Sequence, residues 1–538
     1  MTVTWEVRAS EAKTKREAGF AKVEPPLDGI PDQLPVNSLG LPKIVLTEKE
    51  LKITEEYTIT QLLTALRTRK FSVEEVTRAF LRRAALAQAA TNCLTDLLWD
   101  DAIERARYLD SLPEPKGQLF GLPISTKEHQ GGIGRNIEST ASFVAWIGKK
   151  HGSNILCDLL WEEGCVFYAR TTQPQTIMHL ETESNVYGRT VNPHNRNLTP
   201  GGSTGGESAL IGMRGSILGI GGDIGGSIRC PAAHCGIYGF KPSLKRISVM
   251  GQMTHMVGKE AIISTPGPMA VDREALELFM KIAIGAKPWR RDASLMVKEW
   301  TPYKFDRPPK IAVQWWDGVV RPHPPMTRAL KEVAEACRKA GMEVVDWCPG
   351  IDHSKAWDIV SSLYFPDGGE HILNIIKESG EPVLPLTKFI IHEQPTVKKL
   401  TQQELWDRCA ERDAYRQAYS DAWNKTADAD GREVDVILCP PSFGAATPHG
   451  QSRYWGYTAH WNLLDYPGAV FPVTVVDPAR DLKDASYVPK NADDQFVYDM
   501  YEPEKYVHAP VCLQVIGRRH FDEKVLAALA EIERAMGR

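Results

Sequence analysis

No stretch of this 538-residue chain approaches the ~18 consecutive apolar residues of a membrane-spanning helix, and the opening M-T-V-T-W-E-V-R lacks the apolar centre of a secretion signal. The expectation is a cytoplasmic protein without a membrane span. The ten cysteines include no C-x-x-C pair, and the nearest two, Cys230 and Cys235, are five apart. Without a secretion signal they read as reduced, buried thiols. Charge of one sign is also missing: 64 Lys and Arg stand against 68 Asp and Glu, a net charge of −4, which excludes a basic field for nucleic acid. There is no internal repeat and no low-complexity tract, and the final A-M-G-R is neither a peroxisomal address nor a prenylation box.

Glycine, by contrast, is concentrated. Thr199 to Arg229 reads T-P-G-G-S-T-G-G-E-S-A-L-I-G-M-R-G-S-I-L-G-I-G-G-D-I-G-G-S-I-R, with eleven glycines and six serines or threonines. Such a stretch lets other groups approach the backbone closely, and bare N–H groups beside hydroxyls suit an anion or an oxyanion. Three readings compete. Gly201 to Gly206 has the glycine spacing of a phosphate-binding loop, but Glu207 stands where that loop needs Lys, and a carboxylate there repels phosphate. Gly201-Gly202-Ser203-Thr204-Gly205 fits the G-x-S-x-G nucleophile elbow of α/β-hydrolases. In the third, Ser227 of D-I-G-G-S-I-R is the nucleophile, Ser203 assists it, and the N–H groups of Ile224, Gly225, Gly226 and Ser227 face an oxyanion.

Taken together, G-G-S-T-G-G-E-S-A-L and the following G-G-D-I-G-G-S-I-R-C-P-A resemble the signature block of the amidase signature family, serine hydrolases with a Ser-Ser-Lys triad. That family's lysine lies in a G-L-P-x-S-x-K stretch, which Gly121 to Lys127 matches here. The residues around Pro174, and Gly188 to Pro193, add to a likeness that runs from about Thr58 to the C-terminus and looks closest to the fungal acetamidase and general amidase branch. The resemblance implies an α/β/α fold with a mixed, mostly parallel central sheet, amide hydrolysis without metal or organic cofactor, and a catalytic set of Ser227, Ser203 and Lys127. It further implies a cis peptide bond entering Ser203, and an acyl-side pocket wall formed by Ile177, Met178, His179 and Leu180.

A lysine taken singly is ordinarily a solvated surface residue, but Lys127 ends an apolar stretch. A base lysine must be neutral, and burial can lower its pKa by up to ~3 to 5 units from ~10.4. Glu128 reads as structural and His129 has no assigned role. Asp223 and Arg229 read as an ion pair bracing the loop. His460 is the histidine that the elbow reading needs, with Asp435 as its acid, giving an esterase as the alternative; a non-catalytic binding subunit is a second one.

Residues 1–50 contain Pro25, Pro26, Pro31, Pro35 and Pro42 and read as an arm that wraps the surface or joins a homodimer contact. Residues 51–538 read as one large unit with its catalytic core at about 117–245. Thr58 with Gln61 and Ser72 with Glu75 are capping boxes that start two helices. Lys310 to Trp315, a helix carrying Leu330, Val333, Ala334 and Cys337 on one face, and a strand from Val344 predict a parallel crossover. Phe521 to Met536 predicts a closing amphipathic helix, and residues 350–430 are assigned to the substrate-entry side.

Overall fold

The computed structural model describes residues 3–131 and 137–538. Both capping boxes form. Thr58 and Ser72 accept the N–H groups of Gln61 and Glu75, whose side chains return to the cap N–H groups at 3.0 and 2.9 Å. The helices Ile59–Arg67 and Val73–Thr91 follow directly, burying Leu62, Leu66, Val76, Phe80 and Ala84.

The N-terminal arm is more regular than its prolines suggest. Trp5–Phe20 is a helix, because every proline of the arm lies beyond it. Its Arg16 reaches Asn92 Oδ1 at 2.9 Å and the carbonyl of Leu94 at 3.3 Å. The proline stretch is tied down by Arg82, which donates to the carbonyls of Pro25 and Pro26.

Eleven strands form the main sheet. In chain order they are β1 (Leu94–Leu97), β2 (Pro123–Lys127), β3 (Val166–Thr171), β4 (Leu218–Asp223), β5 (Tyr238–Lys241), β6 (Thr265–Ala270), β7 (Lys310–Val313), β8 (Glu343–Asp346), β9 (Val436–Cys439), β10 (Gly468–Val475) and β11 (Pro510–Ile516). Across the sheet the order is β1-β3-β2-β4-β6-β5-β10-β11-β9-β7-β8. The expected crossover is present: β7 and β8 are parallel neighbours joined through the helix Pro324–Lys339. The sheet is mixed, as expected, but not mostly parallel. Four strand pairings are parallel and six are antiparallel: five of the six run without interruption from β4 to β9, and the sixth is the β1–β3 edge. Apolar runs report burial on both faces of a strand, not its direction, so the central strands carried no signal to separate the two cases.

One local pairing matters most for the site. β2 and β4 are parallel neighbours, with Ser125 opposite Gly219 and Thr126 opposite Ile220. Parallel strands end on the same edge of a sheet, so Lys127, the last residue of β2, and the segment after Asp223, the last of β4, emerge side by side. The closing helix forms as Asp522–Ala535 and buries Val525, Leu526, Leu529 and Ile532. No helix among the described residues is long and apolar enough to cross a membrane.

Candidate active site

Lys127 arrives fully buried at the end of β2, and its Nζ lies 2.6 Å from Ser203 Oγ. Burial drives its pKa well below the ordinary lysine value, an effect that the carboxylates of Asp223 and Glu207 only partly offset. Ser203 reaches it from the turn ahead of the helix Gly205–Gly212, and the Gly202–Ser203 peptide bond is cis. Glu207, which ruled out a phosphate loop, sits on the first turn of that helix. Ser125 Oγ and Thr171 Oγ1 both donate to its buried carboxyl, whose pKa desolvation raises to about 7. Gly219 on β4 has to be glycine because a Cβ there would collide with the Glu207 carboxyl.

The segment after β4 is held from outside. Asp223 accepts the N–H groups of Gly226 at 2.8 Å and Ile228 at 3.1 Å, and it pairs with Arg229 through Nε at 3.1 Å, both side chains fully buried. The Arg229 guanidinium keeps the Asp223 carboxyl well below the usual carboxylate range against the pull of desolvation. Arg229 also donates to the Thr458 carbonyl and to Asn462 Oδ1, so the pair expected to brace the loop does so. The segment's own carbonyls are pinned from behind: Tyr364 Oη donates to Ile224 O at 2.8 Å and Thr458 Oγ1 to Gly225 O at 2.7 Å. Gly226 has φ +126°, and a Cβ there would strike Thr458.

Of the four N–H groups expected to face an oxyanion, Gly226's is therefore committed to Asp223. Those of Ile224, Gly225 and Ser227 meet no acceptor among the described residues. Lys127, Ser203 and Ser227 all line one cavity of about 330 Å³. The Ser203 and Ser227 hydroxyls share this space without being hydrogen-bonded to each other.

Ile177 and Met178 line the same cavity. His179 and Leu180 do not: His179 turns away to pair with Thr387 Oγ1 at 2.7 Å, and Leu180 is buried in the apolar core. Glu128 is structural, accepting from Thr140 N–H at 2.6 Å and from Gln173 Nε2 at 2.7 Å. Gln173 Oε1 in turn meets His129 Nδ1 at 2.8 Å. The Gln173 amide is thereby oriented, so His129 donates from Nδ1 and presents an unprotonated Nε2. His129 lines the cavity, and burial holds its pKa well below the usual value.

The esterase constellation is not assembled. His460 stacks on His353 with ring centroids 4.2 Å apart and packs against Tyr419 and Trp461, while Ser203 meets Lys127. Asp435 accepts the Lys310 N–H at 2.7 Å and pairs with Lys524 at 2.6 Å. Residues 350–430 contribute none of the described residues lining the cavity; Tyr364 acts from behind the Ile224 segment. The outer wall comes instead from residues 249–264, between β5 and β6, including His255, Met256, Val257, Lys259, Ile262 and Ile263. Sequence reasoning missed this loop, which carries no motif and shows no periodicity.

Comparison with known proteins identifies the family. The amidase family model matches residues 75–526. A Schizosaccharomyces pombe protein named as an amidase is 41% identical over 543 residues, covering 99% of both chains. An acetamidase of Emericella nidulans is 37% identical over 100% of this chain and 99% of its own length. Among solved structures, a fatty acid amide hydrolase superposes with a TM-score of 0.90 at 32% identity, covering 100% of each chain. On these matches, the chain belongs to the amidase family and is a hydrolase acting on amides.

Proposed function

We propose that the protein cleaves small-molecule carboxylic amides through an acyl-enzyme, with Ser227 as nucleophile, Ser203 as proton bridge and Lys127 as base. The observation that carries this reading is the buried Lys127 Nζ, 2.6 Å from Ser203 Oγ and open to the same cavity as Ser227. A lysine amine held neutral by burial accepts a proton from Ser203, which takes the proton of Ser227 as that oxygen attacks the carbonyl carbon. Substrate entry supplies the closer packing that links the two hydroxyls.

The tetrahedral oxyanion takes the N–H groups of Ile224, Gly225 and Ser227, where each such donor is typically worth about 2.7 to 4 kcal/mol. Asp223 holds the Gly226 N–H, and Tyr364 and Thr458 hold the neighbouring carbonyls, so the remaining donors are oriented before the charge develops. The C–N bond then breaks, and the proton on Lys127 returns through Ser203 to the leaving nitrogen. Water, deprotonated by the same relay, attacks the acyl carbon, frees the carboxylic acid and restores the Ser227 hydroxyl. No step calls on a metal or organic cofactor.

The test is fluorophosphonate labelling read by intact mass, with the adduct mapped by digestion. The expected adduct lies on Ser227, vanishes in Ser227→Ala and forms more slowly in Ser203→Ala. An adduct on Ser203 would instead restore the esterase assignment.

A further inference from the structure

The inner end of the cavity is accounted for by catalysis, but its outer end holds polar side chains that catalysis does not use, His255 and Lys259 among them. His255 is 9% exposed and lines the cavity, and neither of its ring nitrogens has a hydrogen-bond partner among the described residues. Its ring packs edge-on against Phe143 with centroids 5.7 Å apart, which fixes its place without satisfying its polar atoms. A buried polar group without a partner costs free energy, so one left open on a cavity wall points to a ligand atom.

Lys259 stands on the same wall, four residues further on, and burial, with the Lys259 charge adding to it, lowers the His255 pKa to about 3. Its Nζ donates to the carbonyl of Tyr364 and touches Met256 Sδ at 3.7 Å, which leaves donor capacity on an ammonium that has three N–H groups. Tyr364 and Phe365 present their rings to it at 5.8 and 6.0 Å.

No carboxylate among the described residues is hydrogen-bonded to Lys259. Burial lowers the Lys259 pKa to about 7, with the Asp367 carboxylate pulling the other way, and Asp367 is itself engaged by the N–H groups of Gly369 at 3.0 Å and His371 at 2.9 Å. Glu260, at the exposed rim, pairs with Lys245 at 3.4 Å. The wall otherwise mixes the apolar Met256, Val257, Ile262 and Ile263 with Gln252, Thr254 and Glu260. Lys127 and His129, at the inner end, are both held towards their neutral forms by burial. A lysine amine beside an imidazole, both with unused donors, matches one ligand chemistry: a carboxylate, which accepts from both through two oxygens and draws the lysine towards its charged form.

We propose that His255 and Lys259 form a carboxylate subsite, and that the preferred substrates are amides bearing a carboxylate remote from the scissile carbonyl. This rests on the amidase reading of the same cavity. In it Lys259 and His255 determine specificity and take no part in bond cleavage.

The experiment measures binding to Ser227→Ala protein by calorimetry, so that the answer does not depend on turnover. The ligands are glutaranilic acid, the mono-anilide of glutaric acid, against its counterpart with isopropyl replacing carboxylate, and 4-acetamidobenzoate against 4-acetamidotoluene. The carboxylate member of at least one pair is expected to bind about tenfold or more tightly, as befits a charged hydrogen bond. In the Ser227→Ala background, Lys259→Met is expected to erase that ratio and Lys259→Arg to retain most of it. If Lys259 only pins the loop to Tyr364, its loss weakens both members of a pair alike and the ratio stays, which overturns the proposal. Equal affinities within both pairs also overturn it. Failure of the wild type to hydrolyse any of these amides, with the binding ratio intact, would count against the amidase reading and leave the subsite standing.

Discussion

On the floor of the cavity the buried carboxylates and the carbonyls of the Ile224 segment are answered. Asp223 is met by two N–H groups, Arg229 and Asn462; Glu207 by Ser125 and Thr171; the carbonyls of Ile224 and Gly225 by Tyr364 and Thr458. The outer wall, residues 249–264, is built the other way. His255 has no hydrogen-bond partner for either ring nitrogen among the described residues, and Val257 is 87% exposed. The floor hangs on the ends of two parallel strands, where the backbone cannot shift without breaking the sheet. The wall is a loop, whose residues can vary without disturbing the chemistry below. A site divided in this way keeps one reaction and allows its substrate range to differ.

The division can be broken most severely at the floor. Lys127→Met is expected to lower kcat/KM by roughly four orders of magnitude or more, as loss of a member of a concerted catalytic set does. It also gives a pH signature in stability. Because the folded-state pKa of Lys127 lies below its unfolded value, the folded protein binds fewer protons across that interval, and wild-type stability rises with pH there. The advantage of Lys127→Met in thermal melting should therefore be largest below the folded pKa and close as pH approaches ~10.4. A difference that does not vary with pH would mean that the lysine is charged in the folded state.

Next in size, Arg229→Met leaves the Asp223 carboxylate buried without its cation and should cost about 3–5 kcal/mol in denaturant unfolding. An unchanged midpoint would remove Arg229 as the brace of the floor. Tyr364→Phe deletes one hydrogen bond to the Ile224 carbonyl, and kcat is expected to fall about fivefold with KM little changed. A change confined to KM would move Tyr364 from the floor to the wall. Smallest of all, Val257→Ser on the exposed wall should alter stability by no more than about 0.5 kcal/mol. A larger loss would show that this part of the wall is packed rather than free.

Several elements were legible because their cause is local. Each capping box is satisfied within four consecutive residues, so Thr58 and Ser72 announce their helices, and the 3.6-residue spacing of Val525, Leu526, Leu529 and Ile532 announces the last one. The helix Trp5–Phe20 was obscured by prolines that all lie beyond it. Lys127, Ser203 and Ser227 were legible through motif resemblance alone, since nothing in their spacing brings them together. His179 and Leu180 share a short stretch with Ile177 and Met178, yet the chain turns there, with Thr176 and Ile177 at positive φ, and sends them away from the cavity.

What the sequence determined by itself was the local chemistry: where helices start, which stretch is too rich in glycine to be ordinary backbone, and which lysine ends an apolar strand. Only the tertiary structure decided strand direction, the withdrawal of Gly226's N–H into Asp223, and the meeting of a carboxylate-shaped pair, His255 and Lys259, with the catalytic floor. The reason is physical. Caps and periodicity are interactions among near neighbours in the chain, whereas sheet order and cavity walls depend on contacts between segments hundreds of residues apart, such as Thr458 with Gly225.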